Sequence, residues 1–259
     1  MNIKSLIYNV LKPHKIPMKI FNKIFFLYLK KNYEYETFER KQDKIFKDFA
    51  LSRKDGLEKL EKIKKKYELF NRSMASEHEN FFSSLSISNK EINTILEIGT
   101  FDGINSFLLS LLFENCQIET IDLKSESENF KKFYNRGDKL NEFILSRDNI
   151  LAKNKHITFK EMNSIKLYNS DKKFDLIWID GAHGYPVVCM DIINSLRLLN
   201  NDGLIMCDDI YVNKIKSDRM YNSNAAFETI KELANEKIIE YKLIYKRLDI
   251  ENNFNKDKR

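Results

Sequence analysis

Between residues 94 and 245 short apolar runs alternate with stretches of helical periodicity, and this alternation constrains the fold more than any other feature. The runs are Thr94–Ile98 (TILEI), Gln117–Ile121 (QIETI), Ile157–Glu161, Phe174–Ile179 (FDLIWI), Gly203–Cys207 (GLIMC) and Ile238–Tyr245. Between them, Ile104–Phe113 is apolar over a helical length. Val187–Leu199 places Val188, Ile192, Leu196 and Leu199 on one helical face, and Ala225–Leu233 is also helical. Strands that are apolar along nearly their whole length are buried on both faces, which requires a parallel sheet with helices above and below. Right-handed crossovers then give a doubly wound, Rossmann-like, mostly parallel α/β fold with strand order 3-2-1-4-5. The interval from Asp122 to Ile157 exceeds what one helix needs, so two helices are expected there. Arg247–Asn252 is the remaining candidate for a seventh strand.

The region before this pattern differs in charge. The chain has 259 residues and a net charge of +6, yet residues 1–31 contain seven Lys and no acid. Pro13 and Pro17 interrupt the first segment. Ile20, Phe21, Ile24, Phe25 and Tyr28 then recur at helical spacing. Further helices are expected from Glu36 to Leu51 and along the stripe Leu57, Leu60, Ile63, Tyr67 and Phe70, with Gly56 separating the two. Residues 1–71 therefore read as a basic helical appendage, and residues 72–259 as the α/β domain. The appendage is either a solvated basic face that packs on its own core or a peripheral contact with an anionic surface, a membrane's lipid headgroups or an acidic polymer. The apolar stretch Ile16–Leu29 carries Lys19 and Lys23, far from the ~20 apolar residues that span a bilayer. Cys116, Cys189 and Cys207 form no CxxC pair, which excludes a disulfide framework and a cysteine zinc site. A reducing, cytoplasmic address is expected.

The turn after the first strand reads Glu97-Ile98-Gly99-Thr100-Phe101-Asp102-Gly103, and in such a fold it faces the ligand crevice. Its spacing is GxxxG, not GxGxxG, so a pyrophosphate-binding loop is disfavoured. Asp122, at the tip of the second strand, is placed to accept both hydroxyls of a ribose, unless it is simply an exposed turn acid. LEIGTFDG followed by TIDL resembles the first motif and ribose-binding acid of class I S-adenosylmethionine-dependent methyltransferases. The form Gly-Thr-Phe-x-Gly is similar to the cation-dependent O-methyltransferases and their bacterial relatives acting on sugars and secondary metabolites. IDGAHGY at Ile179–Tyr185 and LLNNDGLIMCDDIY at Leu198–Tyr211 resemble the same group. The resemblance covers about Arg72–Tyr245. It implies cofactor contacts from Glu97, Gly99, Thr100, Phe101, Gly103, Asp122, Leu123, Asn163, Ser164 and Asp180. Ser73–His78 matches a stretch that often closes over the cofactor. Two positions depart from the family: Asn105 stands where Ser is usual, and Asn163-Ser164 stand where many members place an acid for the adenine amino group.

Asp180 follows the fourth strand, and Asp208 and Asp209 follow the fifth. In the expected strand order these ends are neighbours, about 4.8 Å apart, so three carboxylates converge. Their mutual repulsion is relieved by a cation, and an all-oxygen set favours Mg²⁺. The resemblance places the family's metal ligands on the same three residues. The alternative is that strand-end acids anchor loops. His183, in Asp-Gly-Ala-His-Gly, suits removal of a proton from a substrate hydroxyl, with Asp180 as the base where no metal binds. Otherwise it makes a loop-stabilising bond. Tyr185 and Tyr211 are candidates to shape the acceptor pocket, while Trp178, Cys189 and Cys207 read as core.

The leading expectation is an O-methyltransferase acting on a small-molecule hydroxyl, a sugar or glycan precursor, with Mg²⁺ assistance and a homo-oligomer as one possible assembly. Two readings from other classes stay open. One is an NAD-dependent oxidoreductase, opposed by the missing GxGxxG; the other is a non-catalytic binding module docked through the basic N-terminus. Nucleic-acid methylation is not expected, because no Asn-Pro-Pro-aromatic site follows the fourth strand.

Overall fold

The computed structural model describes residue 27 and residues 34–70, 76–213 and 223–248. Most of the basic segment 1–31 lies outside these residues, and so do Ser73–Ala75 and the end of the Arg247–Asn252 candidate strand. The membrane expectation for the N-terminal segment falls there too. No described helix is long and apolar enough to cross a membrane.

Five parallel strands form one sheet: β1 (Thr94–Ile98), β2 (Gln117–Asp122), β3 (Ile157–Glu161), β4 (Phe174–Ile179) and β5 (Leu199–Cys207). Their order is β3-β2-β1-β4-β5, so β1 sits at the centre with β2 and β4 on either side. The switch in winding direction at β1 opens a crevice at the carboxyl ends of β1, β2 and β4.

The period of two along each strand sends alternate residues to opposite faces. Ile95, Leu176 and Trp178 join one apolar cluster; Leu96, Ile98, Ile177 and Ile179 join the other. The first face is covered by α1 (Tyr35–Asp48), α2 (Arg53–Lys66), α3 (Glu77–Leu85) and α4 (Ile104–Leu112). Their Phe46, Leu60, Phe82 and Phe107 are buried in one cluster with Trp178. Each such side chain contributes about 1.5–3 kcal/mol on burial, which is ample to hold α1 and α2 against the sheet. The second face is covered by α7 (Val187–Leu198) and α8 (Ala225–Asn235), and two helices lie between β2 and β3, α5 (Glu128–Tyr134) and α6 (Leu140–Leu151). The polar member of β4, Asp175, accepts from the Asn93 and Thr94 amides and the Asn200 amide group, which explains an acid in an apolar strand.

Two expectations are corrected. Gly56 does not separate helices. It lies inside α2, which Ser52 caps through its bond from the Asp55 N–H. A Cβ at Gly56 would sit 2.0 Å from Ser84 Oγ, so the glycine is there to let α2 and α3 approach. The run Ile238–Tyr245 joins no strand ladder. Its far end is held elsewhere: the Gln42 side chain bonds both the N–H and the carbonyl of Tyr245. A cavity of about 320 Å³, lined by Leu204, Met206, Leu243 and Ile244 among others, lies beside β5 on this side.

Candidate active site

The turn from β1 to α4 is built from hydrogen bonds between adjacent strand ends. The Gly99 N–H donates to the Ile121 carbonyl at 2.9 Å, and the Asp180 N–H donates to the Ile98 carbonyl at 2.8 Å. Gly99 has φ +102°, and a Cβ there would lie 2.4 Å from the Asp180 carbonyl oxygen. Gly103, at φ +76°, opens α4. Thr100 is buried and its hydroxyl is 2.7 Å from that of Thr120. Phe101 is 40% exposed over the crevice.

Glu97 faces inward. One carboxylate oxygen accepts from the Thr120 hydroxyl at 2.6 Å and from the Ser106 hydroxyl; the other accepts from the Asn105 amide at 2.7 Å. Asn105 and Ser106 thus both donate to Glu97. Burial pushes the Glu97 carboxyl up to about 7 from its ordinary 4.5. Between those values the unfolded chain releases the proton while the folded chain retains it, so stability falls as pH rises from about 4.5 to about 7. At 1.36 kcal/mol per unit this group alone removes roughly 3 kcal/mol over that window. Urea unfolding of Glu97→Gln at pH 5 and pH 8 is expected to lack this drop. An equal drop in both proteins would rule out Glu97 as its source.

Asp122 ends β2 and is 8% exposed. One carboxylate oxygen accepts from the Phe101 N–H at 2.9 Å and the Tyr134 hydroxyl at 2.6 Å; the other accepts from the Leu123 N–H at 2.7 Å. Burial raises its carboxyl above the usual aspartate range, opposed by these three donors. Tyr134, at the end of α5, has no signal in the sequence. Its ring packs on Phe101 and Phe143 at centroid distances of 5.5 and 5.4 Å. The Arg136 guanidinium lies 4.9 Å from the Phe143 ring centre. Asn163 is exposed and its amide oxygen accepts the Ile165 N–H, capping the short turn Ser164–Asn169. His78, in the first turn of α3, is half-buried, and its ring centre lies 4.7 Å from that of Trp178.

The ends of β4 and β5 do bring Asp180, Asp208 and Asp209 side by side; the Asp208 N–H donates to the Ile179 carbonyl at 2.9 Å. His183 Nε2 lies 3.6 Å from Asp180 Oδ1. Partial burial and the Asp208 carboxylate hold the Asp180 carboxyl well above the usual range. Asp208 and Asp209, however, both turn to Lys246, whose ammonium is 2.5 Å from Asp208 Oδ2 and also bonds Asp209 Oδ1. Burial alone would lower the Lys246 pKa, but these two carboxylates hold it above the usual lysine value. As arranged, an ammonium sits on one oxygen of Asp208 and one of Asp209, at the point where the expected Mg²⁺ set Asp180, Asp208 and Asp209 would place its cation. Among the described residues no group of three His, Cys, Asp or Glu is disposed to hold a metal. Lys246 was not foreseen, because it follows a run that reads as a strand.

Residues 96–210, from β1 to just past β5, match a family described as a methyltransferase domain. No curated protein sequence matches the chain. Among solved structures, the chain is similar to the O-methyltransferase TomG from Streptomyces achromogenes in complex with SAM, at 15% identity and a TM-score of 0.47, covering 78% of this chain and 87% of that one. It is also similar to an O-methyltransferase from Bacillus cereus in complex with SAH, at 18% identity and a TM-score of 0.44, covering 76% and 88%. A third is a putative O-methyltransferase from Klebsiella pneumoniae, at 16% identity and a TM-score of 0.44, covering 78% and 87%.

Proposed function

We propose, from the premise that residues 96–210 are a methyltransferase domain, that the chain is an S-adenosylmethionine-dependent O-methyltransferase acting on a hydroxyl of a small polar molecule, a sugar or glycan precursor. The observation behind this reading is one crevice at the carboxyl edge of the sheet. It joins the Gly99–Gly103 turn and the Asp122 carboxylate, which suit a nucleoside, to Asp180 and His183, which suit a hydroxyl. The residues fit the donor: Gly99 has no side chain in the crevice, and Asp122 is a carboxylate at the strand tip with acceptor capacity beyond its three donors.

When bound, the donor supplies an electrophilic methyl on a sulfonium. Gly99 and Asp122 would hold that donor, and His183 would take the proton that the acceptor hydroxyl gives up as its oxygen is methylated. Asp180, 3.6 Å from the imidazole, stabilises the charge that results. Asp122 and the Gly99 turn align the donor, and this alignment contributes much of the rate. The polar side chains about the acceptor position, Asp180, His183 and the exposed Tyr185, favour a polyhydroxy acceptor over an apolar one.

A screen of labelled S-adenosylmethionine against sugars, nucleotide sugars and catechols tests the reading. Transfer to a hydroxyl is the expected result. His183→Ala is expected to lower turnover roughly 100- to 10,000-fold while leaving donor affinity nearly unchanged. Preference for NAD over S-adenosylmethionine in calorimetry would overturn it.

A further inference from the structure

Lys246 reaches the acidic cluster from far along the chain, 38 residues beyond Asp208. It is held there by backbone bonds on both sides. Its own carbonyl accepts the Glu77 N–H at 2.9 Å and the Ser76 hydroxyl at 3.3 Å, at the start of α3. The preceding Tyr245 has both backbone groups bonded by Gln42 from α1. Glu77 is itself clamped by Arg53 of α2 at 2.8 and 3.0 Å. Three helices thus converge to aim one lysine at the end of β5. The side chain is 11% exposed, and Asp208 and Asp209 are 10% and 17% exposed. Exposed lysine–carboxylate pairs contribute little and form by chance on any surface. A largely buried lysine between two largely buried carboxylates differs, because removal of either sign strands the other in a poor solvent.

We propose that Lys246 takes the place assigned by the sequence to a divalent cation, as a positioning residue whose ammonium neutralises Asp208 and Asp209, so that methyl transfer here runs without metal. The inference rests on the methyl-transfer reading for the reaction and on the lysine geometry for the exchange of cation. Mg²⁺ requires oxygen ligands at about 2.0–2.1 Å in near-octahedral array. The ammonium uses one oxygen of each β5-end carboxylate and would repel a second cation at the same point. Its charge also fixes the orientation of Asp208, which in turn borders Asp180 and the proposed base.

Mn²⁺ titration of the full chain followed by electron paramagnetic resonance, together with turnover in excess chelator, tests this. Wild type is expected to take up no stoichiometric Mn²⁺ and to keep its turnover in chelator. Lys246→Met frees two carboxylates, Asp208 and Asp209, beside that of Asp180, so it is expected to gain one Mn²⁺ site that a second change, Asp208→Asn, removes. Its metal-free turnover is expected to fall at least roughly tenfold, as when one partner of a buried charge pair is lost. Lys246→Arg keeps the charge and is expected to retain most of the turnover and gain no site. Thermal unfolding of each variant reports whether it is folded. If Lys246→Met does not fold, Lys246→Arg and the wild-type titration still decide. One Mn²⁺ per wild-type chain, lost in Asp208→Asn, overturns the proposal, as does loss of turnover in chelator. The Mn²⁺ measurements need no acceptor, so they read the lysine-for-metal exchange even if no transfer is found.

Discussion

Replacing Asp122 by Ala is expected to weaken S-adenosylmethionine binding roughly 10- to 100-fold, since hydrogen bonds to a charged group are worth about 1.5–3 kcal/mol and each 1.4 kcal/mol is tenfold. Two losses combine in that number. The ribose would lose its acceptor, and the turn would lose the bond that holds Phe101 at φ +51°. Tyr134→Phe separates the two. It removes the phenol that occupies one lone pair of the Asp122 carboxylate and keeps both backbone bonds. Its donor affinity is expected to equal or exceed that of wild type. Calorimetry on the three proteins reads the result directly. Equal affinity in Asp122→Ala and wild type would remove Asp122 from the donor site. Much weaker binding in Tyr134→Phe would instead make the phenol part of that site.

Much of this architecture is legible in the sequence because it is written locally. FDLIWI reads as a buried strand because both faces of β4 are covered, and the two glycines of the Gly99–Gly103 turn mark the two left-handed positions that bound it. Elements that depend on distant partners are not legible in this way. Gly56 has the look of a helix breaker, and its real reason, the approach of Ser84, lies 28 residues away. Ile238–Tyr245 has the composition of a strand, yet Gln42, 203 residues earlier, takes the backbone groups of Tyr245. The site divides along the same line. Asp180, Asp208 and Asp209 share an edge because strand order follows from alternation and handedness, which the sequence does show. Whether a metal or an ammonium answers their charge depends on Lys246, and nothing near those aspartates in sequence announces it. Tyr134 is hidden for a similar reason: an ordinary helical tyrosine becomes a donor to Asp122 only through the path of the chain after β2.

The same contrast between local and distant constraint predicts the effect of Gly99→Ala. A methyl at this position would lie 2.4 Å from the Asp180 carbonyl oxygen, 2.7 Å from its carbonyl carbon and 2.8 Å from the Gly181 nitrogen. All three are backbone atoms, and none can rotate away. Relief requires β1 to part from the β4 end where the Asp180 N–H bonds the Ile98 carbonyl. The residue is also held at φ +102°, where an L side chain is strained whatever the space. Left-handed strain costs roughly 1–2 kcal/mol and overpacking typically 1–3 kcal/mol. Together they reach a large share of the roughly 5–15 kcal/mol that stabilises a typical domain. Urea unfolding should therefore show Gly99→Ala destabilised by roughly 2–5 kcal/mol, with donor binding lost as the turn shifts. Gly181→Ala supplies the comparison. It lies at the same strand end, but the three atoms nearest a Cβ there all belong to Ile98, at 3.5 Å or more, with no left-handed backbone to strain. That variant is expected to unfold within roughly 1 kcal/mol of wild type. Equal stability of the two variants would mean that β1 and β4 do not approach at Gly99 as closely as this crevice requires, and the placement of Asp180 beside the donor turn would go with it.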